Sequence, residues 1–125
     1  YAFNRKEVKK HGDGGQIVGA PLTGKVLILD DVITAGTAIN EAADIIAQAD
    51  SKAQIQGVVI AFDRQELGND QSLSAVQQVE QDLNISVITV AGASELVEYA
   101  ESNNMYSEHL EALKSYLEKH QSNTL

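Results

Sequence analysis

Residues 26–38, Val-Leu-Ile-Leu-Asp-Asp-Val-Ile-Thr-Ala-Gly-Thr-Ala, constrain what this chain can fold into more than any other stretch. Four apolar residues run straight into two adjacent carboxylates, then a small, hydroxyl-rich turn, then an amphipathic segment. An unbroken apolar run of this length suits a strand buried on both faces of a parallel sheet. The acidic pair then falls at the strand's carboxyl end, where open α/β sheets place their ligands. The turn Thr34-Ala35-Gly36-Thr37 offers backbone N–H groups and hydroxyls at a helix N-terminus, which is an anion site. Carboxylates for hydroxyl groups beside a phosphate cradle imply a pocket for a phosphorylated sugar.

Strand and helix patterns alternate along the rest of the chain. Tyr1 to Asn4 reads as a strand end, and Gln16 to Leu22 as a short strand interrupted by Pro21. Between them, residues 5–15 are polar and basic and close on Gly12, Gly14 and Gly15, which predicts a mobile loop. Lys25 to Leu29 is the central strand, and Ile39, Ala42, Ala43 and Ile46 predict a helix from Thr37 to Gln48. Gly57 to Phe62 forms a second buried strand ending in Asp63-Arg64-Gln65-Glu66, and a helix follows from about Ser72 to Leu83. Ile85 to Val90 is a third strand. Ser94 is placed to cap a helix from Glu95 to about Ala100, and Ser107 to about His120 forms the last helix. This order predicts a single α/β domain over residues 1–125, with a parallel sheet and right-handed crossovers. Three crossover units are few for a doubly wound sheet, so further strands are expected before Tyr1.

Charge narrows the partners. A net charge of −9 excludes the basic footprint of a general nucleic-acid binder. The cations are nonetheless concentrated, with Arg5, Lys6, Lys9 and Lys10 in the first ten positions, a grip suited to a multiply charged anion. No cysteine is present, which excludes disulfides and thiolate chemistry and is compatible with a reducing cytoplasm. No apolar stretch reaches the length of a membrane span.

Each feature taken singly also has a plainer reading. Paired aspartates at a strand end occur in phosphoacceptor receiver domains, and a basic octapeptide is commonly a solvated charge run. Arg64 alone would be read as a salt bridge with Asp63 or Glu66. His109 and His120 fit exposed or helix-packing roles, and Tyr99, Tyr106 and Tyr116 fit core or interface aromatics.

Taken in order, the motifs are more specific. The string 26–38 resembles the phosphoribosyl-diphosphate (PRPP) motif of type I phosphoribosyltransferases, without a break. Residues 1–12, Tyr-Ala-Phe-Asn-Arg-Lys-Glu-Val-Lys-Lys-His-Gly, look like the catalytic-loop region of the orotate phosphoribosyltransferase family. Asp13-Gly14-Gly15, Val18-Gly19 and Asp63-Arg64-Gln65-Glu66 fit that family too, so the resemblance covers nearly the whole chain. It implies a type I phosphoribosyltransferase (Rossmann-like) parallel sheet flanked by helices, with this chain as the C-terminal portion and an N-terminal part lying outside it.

The resemblance also implies an activity: transfer of the 5-phosphoribosyl group from PRPP to orotate, giving orotidine 5′-phosphate and pyrophosphate, with Mg²⁺. Asp30 and Asp31 would hold the ribose hydroxyls. Val32 and Ile33 would lead into Thr34, Ala35, Gly36, Thr37 and Ala38, which would wrap the 5′-phosphate. Arg5, Lys6, Lys9 and His11 would contact PRPP, with Lys9, His11, Asp30 and Asp31 as the catalytic set. Thr34 and Arg64 would contact orotate, whose carboxylate suits a guanidinium. No residue is assigned as a direct metal ligand, because Mg²⁺ would mainly bridge substrate oxygens and water. The implied assembly is a cytoplasmic homodimer in which the basic loop acts in the partner subunit's site, with neither nucleic acid nor membrane as a partner. The rival reading is a non-enzymatic PRPP-sensing regulator or an inactive fragment, and the intact basic loop counts against the sensor.

Overall fold

In the computed structural model the described residues are 1–5, 17–49, 52–68 and 72–121. The predicted loop 5–15 therefore lies outside them except for Arg5, and so do the assignments to Lys6, Lys9 and His11. Strands β1 (Ala2–Asn4) and β2 (Ile17–Gly19) pair as an antiparallel ladder, with Phe3 opposite Val18. The main sheet holds β3 (Lys25–Val32), β4 (Gln54–Asp63) and β5 (Val87–Gly92), all parallel, in the order β3-β4-β5. Helix α1 (Thr37–Ala49) connects β3 to β4, and α2 (Ala75–Leu83) connects β4 to β5. Helices α3 (Ala93–Ser102) and α4 (Ser107–His120) follow. The α/β reading with a parallel sheet and flanking helices is what the chain adopts.

One face of the sheet carries the core. Ile28, Val58 and Ile60 pack against Ile39 and Ile46 of α1 and Ala75, Val76 and Val79 of α2. Ile39, Ala43 and Ile46 recur at helical spacing, which is why α1 presents one apolar stripe to the sheet. Phe62 and Leu113 join a second cluster with Ala93, Val97 and Leu117, through which α3 and α4 hold the sheet's carboxyl end.

The opposite face departs from expectation. The pairings of Leu29 with Val59, and of Val59 with Ile88, set these three on one side of the sheet together with Leu27 and Val90. Leu29 is 74% exposed and Val90 75%. Strand β3, expected to be central, stands at the edge of the described sheet beside β4. It is buried on one face only among the described residues, because both described crossover helices pack on the same side. A continuous apolar run reads identically whether one face is covered or two.

Several boundaries also move: β4 begins at Gln54 instead of Gly57, and β5 spans Val87–Gly92 instead of Ile85–Val90. Strand β3 continues past Leu29, so the acidic pair sits within the paired strand, Asp30 opposite Ile60 and Val32 opposite Phe62. Helix α2 begins after Ser74 instead of near Ser72, since Ser74 Oγ accepts from Gln77 N–H (3.1 Å) and Gln77 Oε1 accepts from Ser74 N–H (2.8 Å). Helix α3 begins at Ala93, with Gly92 as its N-cap, so Ser94 lies inside the helix instead of capping it. The tyrosines are not core residues either: Tyr99, Tyr106 and Tyr116 are all exposed. No helix among the described residues is long and apolar enough to cross a membrane.

Candidate functional site

The carboxyl end of β3 and the first turn of α1 enclose a pocket of about 280 Å³. Asp30, Val32 and Ile33 line it from the strand side, and Thr34, Gly36, Thr37 and Ala38 from the turn. These come from two elements because β3 ends at Val32 and the chain reverses into α1 within four residues. Gly36 makes that reversal. Its φ is +72°, a left-handed conformation that suits glycine, and its carbonyl accepts from Asn40 N–H at 3.0 Å to open the helix. A side chain there would also meet Val79 Cγ2 at 2.8 Å, so the turn rests directly on the buried face of α2.

Acidic side chains are absent from the first turn of α1. The positive end of the helix dipole therefore faces the pocket, which Asp30 and Glu41 line from the strand and from the second turn. The hydroxyls of Thr34 and Thr37 stand beside it, and both residues are exposed.

Strand geometry separates the two aspartates. Asp30 shares the helix-covered side with Ile28, lines the pocket, and accepts from Asp31 N–H through Oδ1 at 2.9 Å. Asp31 lies on the alternate side with Leu29, is exposed, and accepts from Val32 N–H at 2.7 Å. Ala35, like Asp31, does not line this pocket. Arg5 is partly buried where it follows β1. Glu41 lines the pocket too, although the sequence reading did not single it out. The signal was available: Glu41 follows Thr37 by four residues and so shares its helix face.

Arg64 leaves the same sheet edge. Val32 pairs with Phe62, so Thr34 and Arg64 each lie two residues beyond a matched pair. The Arg64 Nε and Nη2 groups both donate to Glu66 Oε1, at 3.1 and 2.6 Å, and the Glu66 carboxylate raises the guanidinium pKa above its ordinary value. The plainer reading of Arg64 as an ion pair with Glu66 is thus realised in the geometry. The same oxygen accepts from the Tyr116 hydroxyl of α4 at 2.8 Å.

The neighbouring Gln65 is held in a left-handed conformation, φ +57°, uncommon for a residue with a side chain. Its Oε1 accepts from Ser94 N–H (2.9 Å) and Ser94 Oγ (2.7 Å), which gives α3 the cap that Gly92 cannot. Leu67 N–H donates to the His120 carbonyl at 2.8 Å and so ties the turn to the end of α4. Asp63 Oδ1 accepts from Gln65 N–H at 2.8 Å, while burial, reinforced by Glu95, pushes its carboxyl pKa upward. Asp63-Arg64-Gln65-Glu66 is therefore a fastened turn in which Asp63 and Gln65 hold the backbone and Glu66 alone bonds the Arg64 side chain.

The two remaining histidines lie along α4. His120 stacks on Tyr116 with ring centroids 4.4 Å apart, and exposed His109 approaches Glu108 at 3.5 Å. Among the described residues no group of three His, Cys, Asp or Glu side chains is placed to hold a metal ion.

No family model matches the sequence. An orotate phosphoribosyltransferase of Marinobacter nauticus is 52% identical over 120 residues, which are 96% of this chain and 55% of that protein. One from Pseudomonas fluorescens is 50% identical over 119 residues, 95% of this chain and 55% of the relative. The crystal structure of the Francisella tularensis orotate phosphoribosyltransferase superposes with a TM-score of 0.76 at 39% identity, covering 98% of this chain and 56% of that one. The chain thus spans about half the length of the curated relatives it matches. Over nearly all of its own residues, in sequence and in fold, it is similar to orotate phosphoribosyltransferases.

Proposed function

We propose that this chain supplies the PRPP-binding portion of an orotate phosphoribosyltransferase, a pentosyl transferase of pyrimidine biosynthesis. The observation that carries the proposal is the pocket joining Asp30 to the Thr34–Ala38 turn at the N-terminus of α1, in a chain half identical to such enzymes. In the reaction the bond from the ribose anomeric carbon to pyrophosphate breaks, and pyrophosphate leaves with the electron pair. A ring nitrogen of orotate then forms the new bond to that carbon. Positive charge develops on the ribose ring as the leaving group departs, and fixed carboxylates beside it stabilise that charge.

Asp30 is the carboxylate that lines the pocket, and Asp31 is proposed as its partner on the ribose hydroxyls. The turn from Thr34 to Ala38 binds the 5′-phosphate through backbone N–H groups and the Thr37 hydroxyl. Thr34 and Arg64 hold orotate, the guanidinium pairing with its carboxylate. Arg5, Lys6, Lys9 and His11 are proposed to bind the pyrophosphate end, with His11 or Lys9 supplying a proton. The residues fit Mg²⁺ as an ion carried mainly by substrate oxygens, with Asp30 or Asp31 beside it. When bound, it would neutralise charge on the departing pyrophosphate. A cytoplasmic homodimer in which the basic loop serves the partner subunit's site completes the proposal. Its support is the family resemblance.

The decisive experiment is made in a full-length protein carrying this chain, following loss of orotate absorbance with PRPP and Mg²⁺. Asp30→Asn should lower kcat/KM by about 10²- to 10³-fold, the scale for one electrostatic transition-state contact. Lys9→Ala or His11→Ala should lower kcat with an unchanged melting temperature. PRPP binding without turnover in the unsubstituted protein would favour a sensor instead.

A further inference from the structure

Glu66 and Tyr116 form the best-organised polar contact near the sheet edge that the proposed mechanism leaves unused. One carboxylate oxygen, Glu66 Oε1, accepts from Arg64 Nε at 3.1 Å, Arg64 Nη2 at 2.6 Å and Tyr116 Oη at 2.8 Å. Arg64 and Glu66 lie only two residues apart on the fastened turn, whereas Tyr116 reaches them from α4, fifty positions along the chain. The group is partly exposed: the Arg64 side chain is 44% accessible, and Tyr116 is 42% exposed. Ion pairs at such sites add little to stability, so holding the fold together is a poor explanation for a three-residue arrangement.

Its geometry explains it better. A guanidinium has five N–H donors arranged along fixed edges. Glu66 occupies the edge formed by Nε and one N–H of Nη2. The other edge, formed by Nη1 and the second Nη2 N–H, carries no carboxylate among the described residues and matches a substrate carboxylate bidentately, although the Tyr116 hydroxyl lies close enough to the guanidinium to help raise its pKa. The Tyr116 hydroxyl fixes the carboxylate that fixes the guanidinium, and the Tyr116 ring is itself stacked on His120. The backbone beneath is rigid as well, because Gln65 and Leu67 are bonded to α3 and α4 on either side of Glu66.

We propose that Glu66 and Tyr116 are positioning residues, which pre-orient Arg64 so that its other edge faces the carboxylate of the pyrimidine substrate. The inference rests on the reading of Arg64 as the orotate contact. Arginine loses considerable rotamer freedom when it binds, and a side chain already held in place loses less. The pair thus acts on selectivity for a carboxylated ring and leaves PRPP binding untouched.

The test uses a full-length protein carrying this chain and measures equilibrium affinity for orotidine 5′-phosphate and for uridine 5′-phosphate, which lacks the ring carboxylate. Tyr116→Phe and Glu66→Ala should each weaken orotidine 5′-phosphate binding by about three- to tenfold, the range for releasing one immobilised side chain. Affinity for uridine 5′-phosphate and for PRPP should stay unchanged. Glu66→Gln, which keeps an acceptor, should recover part of the loss. If Tyr116→Phe and Glu66→Ala weaken both nucleotides equally, or neither, positioning is refuted while the role of Arg64 stands. Arg64→Ala separates the two readings. If that variant retains full preference for the carboxylated nucleotide, the assignment of Arg64 to orotate fails and takes the positioning role with it.

Discussion

At the scale of single residues, the turn after β4 shows how an arginine side chain and the backbone under it are held by neighbours that do different physical work. Gln65 accepts the energetic cost of a left-handed backbone because its amide oxygen replaces a missing helix cap. Gln65→Ala should therefore destabilise the chain by about 1–2 kcal/mol, combining a lost cap with unsatisfied donors, as read from urea denaturation. Asp63 gives a pH-dependent counterpart. Its folded pKa is raised above the ordinary 3.8 mainly by burial, so the fold favours the protonated carboxyl. The sign follows: stability from this group is fully present in acid and is lost as pH rises through the elevated value. Asp63→Asn keeps an acceptor for Gln65 N–H and removes the buried charge. The variant should be more stable than the parent at pH 7, and the difference should vanish below pH 3.8 in parallel denaturation curves.

Among the elements, α2 and the strand before α1 divide what a sequence can and cannot reveal. The last helix is legible to the residue, since Ser107 and His120 bound a clear apolar stripe through Leu110, Leu113 and Leu117. Ser74 was harder to single out, because Ser72 two positions earlier is an equally good cap by composition and only the Gln77 partner separates them. Ser74→Ala should cost about 1 kcal/mol, read as a fall in the urea denaturation midpoint. The acidic pair was legible as a strand-end feature and illegible in its geometry. Extending β3 through Val32 imposes a two-residue alternation, which sends Asp30 toward the pocket and Asp31 to the other side. Arg64 was legible as a charge at a strand end. The Glu66–Tyr116 contact was not, since it depends on α4 returning to β4 from fifty residues away.

For the molecule as a whole, the sheet's second face is the dominant feature. Leu27, Leu29, Ile88 and Val90 form an apolar surface on parallel strands, and parallel sheets are ordinarily covered on both sides. Contiguous apolar patches of this kind drive association in water. The chain produced as these 125 residues should accordingly self-associate at micromolar concentration. Leu29→Lys combined with Val90→Lys should shift it toward monomer by sedimentation velocity and sharply reduce binding of a hydrophobic dye. The helix-side core is not touched by these changes, so the far-ultraviolet circular dichroism should be preserved.

The contact between Gly36 and Val79 links interior volume to ligand grip. Val79 is almost completely buried and looks, from the pocket, like any other filler of the interior. Adding one methylene, Val79→Ile, would improve many cores. Here the extra carbon presses on the bend proposed to cup the phosphate, so the variant should lose affinity for PRPP while its melting temperature barely moves. On the proposed function, engineering this protein for greater heat resistance by filling its centre would therefore blunt its hold on the donor, through a side chain that never meets it.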